Sequence, residues 1–177
     1  CSSVSPDGRA LERRALRHFR EAGCERLAVI MPATPSLKFR DQWQHFRKLA
    51  RRHKLTLHEH WLQGVDLHTP DWTRNIARLL FHDGQAEQPD ELLVLDDNVI
   101  QPVTEGVKDA GVEDLLIVSH ANFPKLPETA LPVTWLGFDI TEMMREAKRL
   151  IDAQRTKNAP PEVVKLKPIF HEELDDA

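Results

Sequence analysis

The segment LLVLDDNVIQPVTEGV (92–107) places three hydrogen-bonding residues, Asp96, Asp97 and Asn98, directly after an apolar run. The run predicts a strand, and the spacing of apolar residues after the cluster predicts a helix. A cluster at this junction can cap the helix, form the rim of a polar ligand site, or hold a metal ion or a phosphoryl group. The last interpretation needs acidic residues after the first predicted strand, which instead ends in MPAT (31–34).

His58, Glu59 and His60 form a second cluster with residue types found in metal sites. On a strand the two histidines would share one face, but a zinc site needs at least one further ligand from elsewhere. Solvent-facing alternation is the simpler interpretation. The sequence has neither a GxSxG nucleophile elbow nor a GxxxxGK(S/T) or GxGxxG phosphate loop, so local motifs favour a binding protein over an enzyme.

Length and composition indicate one globular domain of 177 residues, of which 41% are hydrophobic and 29% charged. The net charge of −4 excludes a strongly basic nucleic-acid surface in this chain. No apolar stretch approaches the roughly 20 residues of a membrane-spanning helix. Cys1 and Cys24 fit neither a CxxC site nor a disulfide framework, so we predict a cytoplasmic protein with a packed thiol at Cys24. Because the first residue is not methionine, we expect that further chain preceded it.

Extended and helical patterns alternate along the chain. Helices are predicted over residues 7–22, 36–54, 69–81, 99–110 and 139–155. Strands are predicted over residues 25–32, 56–62, 90–95, 114–119, 132–138 and 162–170. This order predicts an α/β fold, a Rossmann-like and mainly parallel sheet with helices on both faces, in which ligands bind beyond the carboxyl ends of the strands.

Several local features can be checked directly. Asp7 is predicted to cap the first helix, and Gly23 and Gly111 to end helices. In the third helix, Thr69 is the predicted cap, and the predicted packed face consists of Trp72, Ile76, Leu79 and Leu80. HANFPKLPETALP (120–132) is predicted to be a proline-rich loop, and HEELDDA (171–177) a solvated tail.

Four stretches resemble the effector-binding domain of LacI/GalR-type transcription regulators, which has the type I periplasmic-binding-protein fold. DGRALERRALRHFREAGCERLAVI (7–30) resembles a helix–strand segment of that family, and residues 36–55 resemble its next helix. PDELLVLDDNVIQPVTEGV (89–107) resembles the family stretch that contains an Asn-Asp pair. Residues 111–170 follow the family's order of strand, loop, crossover, helix and closing strand. The SHAN segment (119–122) is also similar to sensors of GntR-type regulators.

The resemblance implies one lobe of a two-lobed sensor. Residues 1–177 would form a truncated effector-binding domain with a nearly complete C-terminal lobe. The helix over 139–155 would normally belong to the N-terminal lobe. Its apolar face would then need another cover, such as a dimer contact, or would be partly disordered; this face comprises Ile140, Met143, Met144, Ala147, Leu150 and Ile151.

The resemblance also carries ligand-binding positions. The family's Asn-Asp pair falls on Asp97 and Asn98 with the order reversed, and Asp96 precedes them. The family's effector-binding arginine falls on Gln42, and Arg40 lies two residues earlier. Several residue types that contact sugars in the family are therefore changed. The remaining candidates for the rim of the cleft are Ser36, Asp66 and Asn122.

The function implied by the resemblance is ligand sensing. A small polar solute such as a sugar would bind in the cleft between lobes and change DNA binding by an attached domain that this chain does not contain. A homodimer is expected, and no cofactor. Two alternatives stay open: a periplasmic solute-binding protein of the same fold, and an enzyme on a flavodoxin-like sheet that uses Asp96 and Asp97 with a divalent metal.

Overall fold

The computed structural model describes residues 1–33, 39–157 and 160–174. These residues form five helices, α1 (Gly8–Glu21), α2 (Phe39–Arg52), α3 (Pro70–Leu80), α4 (Ile100–Asp109) and α5 (Ile140–Lys157). They also form eight strands, β1 (Ser3–Pro6), β2 (Leu27–Pro32), β3 (Leu62–Val65), β4 (Glu91–Val94), β5 (Leu116–Phe123), β6 (Thr134–Asp139), β7 (Val163–Leu166) and β8 (Ile169–Phe170). Among the described residues, no helix has the length and apolar character needed to cross a membrane.

Six strands form the main sheet in the order β3-β2-β4-β5-β6-β8. The first five of these run parallel, and β8 pairs antiparallel with β6. The predicted α/β fold with a mainly parallel sheet is therefore confirmed. Parallel strands direct their carboxyl ends to one side, so the residues that follow β3, β2, β4 and β5 gather along what we call the carboxyl edge. We call the opposite side, where these strands begin, the amino edge.

Helices cover both faces of the main sheet, as predicted. On one face, α1 and α2 pack through Phe19 and Phe46, which are fully buried. On the other face, α3 and α4 pack through Ala77 and Val103, also fully buried. Burying a large apolar side chain contributes about 1.5–3 kcal/mol. These two apolar layers therefore hold the strands, and with them the carboxyl edge, in place.

The first helix begins and ends where its sequence predicts. Asp7 Oδ1 accepts a hydrogen bond of 3.0 Å from the backbone N–H of Ala10, which satisfies one free donor of the first turn. Gly23 has a φ of +87°, a left-handed conformation that glycine adopts without a steric penalty. Gly111 ends α4 in the same way with a φ of +80°.

The predicted packed face of the third helix is partly wrong. Trp72 is 58% exposed and Leu79 is 59% exposed. The helix instead buries a face that is rotated by one residue and includes Thr73, whose hydroxyl donates to the carbonyl of Thr69 at 3.3 Å. That bond lets a polar side chain lie inside without an unsatisfied donor. Thr69 occupies the cap position but makes no side-chain capping bond.

Two strand predictions also need correction. Residues 56–62 were expected to form a strand, but Glu59–Trp61 form a 3₁₀ turn and β3 begins only at Leu62. Residues 120–123, expected in a loop, complete β5, because β6 pairs with them along their whole length. His120 and Asn122 therefore lie on a strand.

The end of the chain is more ordered than predicted. The single closing strand expected over 162–170 is two strands in two sheets, because β7 pairs parallel with β1 and β8 pairs with β6. Residues His171–Glu173 form a 3₁₀ turn, and Glu173 forms an ion pair with Arg14 of α1. The part of the predicted solvated tail that the structure describes is thus anchored to α1.

The helix α5 packs beside β1 and buries Leu150. Met143 and Ala147 are partly buried, whereas Met144 is 64% exposed and Ile151 is 56% exposed. Val163 on β7, the strand paired with β1, is also 66% exposed. Several large apolar side chains of α5 and β7 are therefore exposed to solvent.

Candidate ligand-binding site

Asp97 and Asn122 join two neighbouring strand ends at the carboxyl edge. Val94 lies opposite Ser119 in the register of β4 and β5. Asp97 and Asn122 each follow three positions later in the chain and therefore lie side by side. Asn122 donates to Asp97 Oδ2 from its backbone N–H at 3.1 Å and from its side-chain amide at 3.0 Å. The contact fixes the orientation of the Asp97 carboxylate at the edge of the sheet.

Asp96 has a different role from Asp97. Its Oδ1 accepts hydrogen bonds from the backbone N–H of Asn98 at 2.9 Å and from the Asn98 amide at 2.8 Å. This Asx turn directs the chain into α4. The N-cap position itself is Val99, which makes no side-chain capping bond. The cap interpretation is therefore wrong for all three polar side chains of the cluster.

A groove of about 520 Å³ lies beside the Asp97–Asn122 contact. Its volume is within the range of small-molecule sites, roughly 300–1,000 Å³. Carboxylates, amides and one amine are available to a bound solute, so the groove offers both hydrogen-bond donors and acceptors. The lining residues are Asp97, Asn98, Gln101, Asn122, Lys125, Pro127 and Glu128.

Among the described residues, Asp66, Arg40 and Gln42 were also predicted for the rim but do not line this groove. Asp66 follows β3 at the carboxyl edge, where its Oδ1 accepts from the backbone N–H of His68 at 2.9 Å. Arg40 and Gln42 lie in the first turn of α2, which follows β2. Ser36 lies outside the described residues. The structure thus brings Asp97, Asn98 and Asn122 together at the groove, with Asp96 bonded to Asn98.

His120 marks a second cavity at the carboxyl edge, on the α1 side of the sheet. Its Nδ1 is buried and has no hydrogen-bond partner among the described residues. Burial lowers the pKa of His120 below its ordinary value of 6.5, although the charges of Asp97 and Asp96 act in the opposite direction. The imidazole is therefore neutral at pH 7. The cavity has a volume of about 360 Å³ and is lined by Pro6, Gly8, Leu11, Glu12, Leu95, His120 and Phe138.

The predicted loop over residues 120–132 hides the role of His120, which lies on β5. The signal was present: His120 and Asn122 continue the two-residue spacing of Leu116 and Val118, which predicts one face of a strand. Gln101, Lys125 and Glu128, which share the groove, carried no comparable signal because only the tertiary fold brings them there.

The His58 and His60 rings stack, with centroids 5.6 Å apart. His58 Nε2 contacts Glu87 at 2.9 Å. Within residues 1–33, 39–157 and 160–174, one trio of Cys, His, Asp or Glu brings its ligand atoms within 4.8 Å of one another, namely Cys24, Asp90 and Glu91. Neither the two histidines nor the acidic cluster of Asp96 and Asp97 belongs to it.

The sequence matches the family described as "Periplasmic binding protein-like domain" over residues 16–171. The chain belongs to this family. A search among curated proteins found no match. The periplasmic binding protein-like fold is also found in solved structures of LacI-family regulators, so the predicted family resemblance and fold class are confirmed. The similarity to GntR-type sensors stays a prediction.

Three solved structures illustrate the similarity. A LacI-family regulatory protein from Chloroflexus aggregans has a TM-score of 0.79 at 19% identity, with 96% of this chain and 62% of that chain covered. A LacI-family regulator from Clostridium acetobutylicum has a TM-score of 0.76 at 16% identity, with 96% and 64% covered. One from Lactobacillus casei, with bound glucose, has a TM-score of 0.67 at 20% identity, with 90% and 59% covered. The chain thus spans about three fifths of their length.

Proposed function

We propose that this periplasmic binding protein-like domain is the effector-binding domain of a LacI-type transcriptional regulator. It binds a small polar solute, such as a sugar, between the groove at the carboxyl edge and a second lobe. The observation that carries the proposal is the fixed Asp97–Asn122 pair, which lines a groove of about 520 Å³ at the edge where such sheets bind ligands.

The chemistry of the groove suits a polyhydroxylated solute. The Asp97 carboxylate accepts hydrogen bonds from hydroxyl groups, and the amides of Asn98 and Gln101 can both donate and accept. Lys125 and Glu128 add one charge of each sign. One of the similar regulators was solved with glucose bound, which supports a sugar as the first class of solute to test.

The second lobe would cover the apolar surface of α5 and β7. Met144, Ile151 and Val163 are each more than half exposed there, at 64%, 56% and 66%, which is typical of an interaction surface rather than of a finished exterior. The chain covers about 62% of the length of a similar regulator, which leaves room for another lobe in a protein of that size. Solute binding would favour closure of the two lobes and thereby change DNA binding by an attached domain.

We further propose that the sensor acts in the cytoplasm as a homodimer and is not an enzyme. Trp72 and Leu79 lie seven residues apart on α3, on one exposed face of that helix. A pair of large apolar side chains at this spacing suits a self-complementary helix contact. The metal-enzyme alternative has little support, because among the described residues Asp96 and Asp97 do not belong to the trio of side chains whose ligand atoms converge.

Binding of candidate sugars by an intact regulator that contains this domain tests the proposal. Asp97→Ala should weaken the affinity for a sugar that binds the wild type by about 10-fold or more, since hydrogen bonds to charged groups contribute roughly 1.5–3 kcal/mol. Asn98→Ala should weaken it by about 2- to 10-fold, since hydrogen bonds between neutral groups contribute roughly 0.5–1.5 kcal/mol. Isothermal titration calorimetry measures the affinity, and circular dichroism checks the fold.

Asp83→Ala is the matched control. Asp83 is 93% exposed and follows α3 at the amino edge, so its replacement should leave sugar affinity unchanged. Unchanged affinity in Asp97→Ala and Asn98→Ala for a sugar that binds the wild type would remove both residues from the site. A regulator that binds none of the sugars would shift the proposal to other polar solutes.

A further inference from the structure

Cys24, Asp90 and Glu91 meet at the amino edge of the main sheet, opposite the carboxyl edge where the groove lies. Cys24 precedes β2 and Asp90 precedes β4, whose first residue is Glu91. β2 and β4 are neighbours, with Leu27 opposite Glu91. This register brings together a thiol and two carboxyl groups whose ligand atoms lie within 4.8 Å of one another.

Glu91 is the unusual member of this cluster. The residue has 0% relative exposure. Neither of its carboxyl oxygens has a partner with hydrogen-bond geometry among the described residues. The Cys24 thiol and, through its charge, Arg20 are the groups that favour the ionised carboxylate, although the Arg20 guanidinium itself donates to the carbonyl of Cys24 at 3.5 Å. A fully buried carboxyl group with so little compensation is costly unless it stays protonated or binds a cation.

The Asp90 carboxylate is held in a fixed position beside Glu91. Its Oδ1 accepts hydrogen bonds from the backbone N–H groups of Glu25 at 3.2 Å and Arg26 at 2.8 Å. Oδ2 makes only a long contact of 3.4 Å with the Arg26 side chain. One oxygen therefore fixes the carboxylate, and the other is available to a ligand.

We propose that Cys24, Asp90 and Glu91 form a binding site for a divalent zinc ion, with a water molecule as the fourth ligand. Zinc is coordinated by cysteine sulfur at about 2.3 Å and by carboxylate oxygen at about 2.0–2.2 Å, usually in a tetrahedral arrangement. Ligand atoms of one such ion lie within about 4 Å of one another. The separations in the cluster are at most 4.8 Å and so exceed this spacing by less than about 1 Å.

The sulfur and oxygen ligands of the cluster favour zinc over magnesium and calcium. A thiolate disfavours magnesium and calcium, which take oxygen ligands, whereas a mixed sulfur and oxygen set suits zinc. The position also favours a cation, since the C-terminus of α1 ends at the cluster and Cys24 N–H donates to the carbonyl of Phe19 at 3.1 Å. Cys24 and Asp90 are only partly buried, which gives the ion a route from solvent.

Cobalt(II), a spectroscopic substitute for zinc, provides a direct test on the full chain. Cobalt bound to a thiolate gives a near-ultraviolet charge-transfer band that carboxylates alone do not produce. The wild type should bind one cobalt ion per chain with this band, and added zinc should remove the band by displacement. Zinc should also raise the melting temperature, because it binds only the folded chain.

Matched variants locate the site. Cys24→Ser should lose the charge-transfer band, whereas Cys1→Ser, which removes the other and exposed cysteine, should keep it. Glu91→Gln should raise the cobalt dissociation constant by at least about 10-fold, since even outer-shell partners contribute that much. Glu113→Gln, at an exposed position, should leave the dissociation constant unchanged.

Two results would overturn the zinc proposal. The first is a wild type that gives neither a thiolate–cobalt band nor a zinc-dependent rise in melting temperature. In that case Glu91 is simply a neutral buried acid, in line with burial raising its pKa to about 8. The second is a band that survives in Cys24→Ser. Because metal binding is measured without sugar, the outcome does not depend on the proposed effector function.

Discussion

At the scale of single residues, the polar groups at the carboxyl edge have different structural roles. Asp96 is used in the turn before α4, and Asp97 is held by Asn122. His120 is partly buried, and its Nδ1 has no hydrogen-bond partner among the described residues. The fold therefore keeps a neutral imidazole within electrostatic range of the two carboxylates.

His120 makes the stability of the domain depend on pH with a predictable sign. Its pKa in the folded state lies below the ordinary 6.5 because of burial, so the unfolded chain binds the proton more readily. The free energy of unfolding should therefore fall as pH drops through and below about 6.5. His120→Gln should lose this part of the pH dependence, as measured by urea unfolding at several pH values.

His68→Gln serves as the control because His68 is exposed. It should retain the pH dependence of the wild type. Equal slopes of unfolding free energy against pH in the wild type and His120→Gln would contradict the assignment to His120.

At the scale of elements, α3 and α4 approach each other through a glycine. A Cβ atom on Gly106 would lie 2.2 Å from the carbonyl oxygen of Arg74 and 2.9 Å from Ala77 Cβ. Backbone cannot move aside as a flexible side chain does. Gly106→Ala should therefore lower the free energy of unfolding by about 1–3 kcal/mol, as measured by urea denaturation.

Gly8→Ala is the control, because it adds the same methyl group at a position where the methyl group meets no other atom. A Cβ atom at Gly8, the first residue of α1, meets nothing within 4 Å. That variant should be as stable as the wild type or slightly more stable, since alanine favours helix over glycine. If Gly106→Ala were as stable as Gly8→Ala, the close approach of α3 and α4 would be refuted.

Elements were predictable wherever local signals were sufficient. Asp7, Gly23 and Gly111 set helix ends through their own backbone and side-chain chemistry. The buried face of α3 was not predictable in the same way. The Thr73 hydroxyl donates to a carbonyl of its own helix, so this polar residue can be buried while the apolar Trp72 is exposed. The strand pairing of residues 120–123 with β6 also overrides their polar, proline-flanked sequence.

The ligand-binding groove was likewise only partly predictable from the sequence. The cluster 96–98 was recognised from sequence because it directly follows an apolar strand. Its contact with Asn122 depends on the register of β4 and β5, in which Val94 lies opposite Ser119. Register is a tertiary property, so the sequence could suggest the edge of the sheet but not the pair that forms there.

At the scale of the whole molecule, two helices expose large apolar side chains, α5 through Met144 and Ile151 and α3 through Trp72 and Leu79. The proposed partner of α5 is the second lobe, and the proposed partner of α3 is a second copy of the chain. Replacing both Trp72 and Leu79 by Glu should raise the dimer dissociation constant by at least about 10-fold, because large interface side chains often contribute more than 1 kcal/mol. Sedimentation equilibrium measures the constant.

Met144→Glu changes the other surface and should leave the dimer dissociation constant unchanged. Dimers that survive the double replacement on α3 but dissociate in Met144→Glu would assign the homodimer contact to α5 instead. A chain that is monomeric before any substitution would refute the dimer proposal for this domain.

The small ladder of β1 and β7 has a consequence for how the domain folds. It pairs Ser3 with Val163 and Pro6 with Leu166, and Ser2 contacts Glu162 across 160 positions of sequence. Closing so long a loop costs chain entropy that four residue pairs cannot offset alone. The ladder should therefore form late, after the main sheet has brought the two segments together, and its amide protons should exchange with solvent sooner than those of β2 and β4.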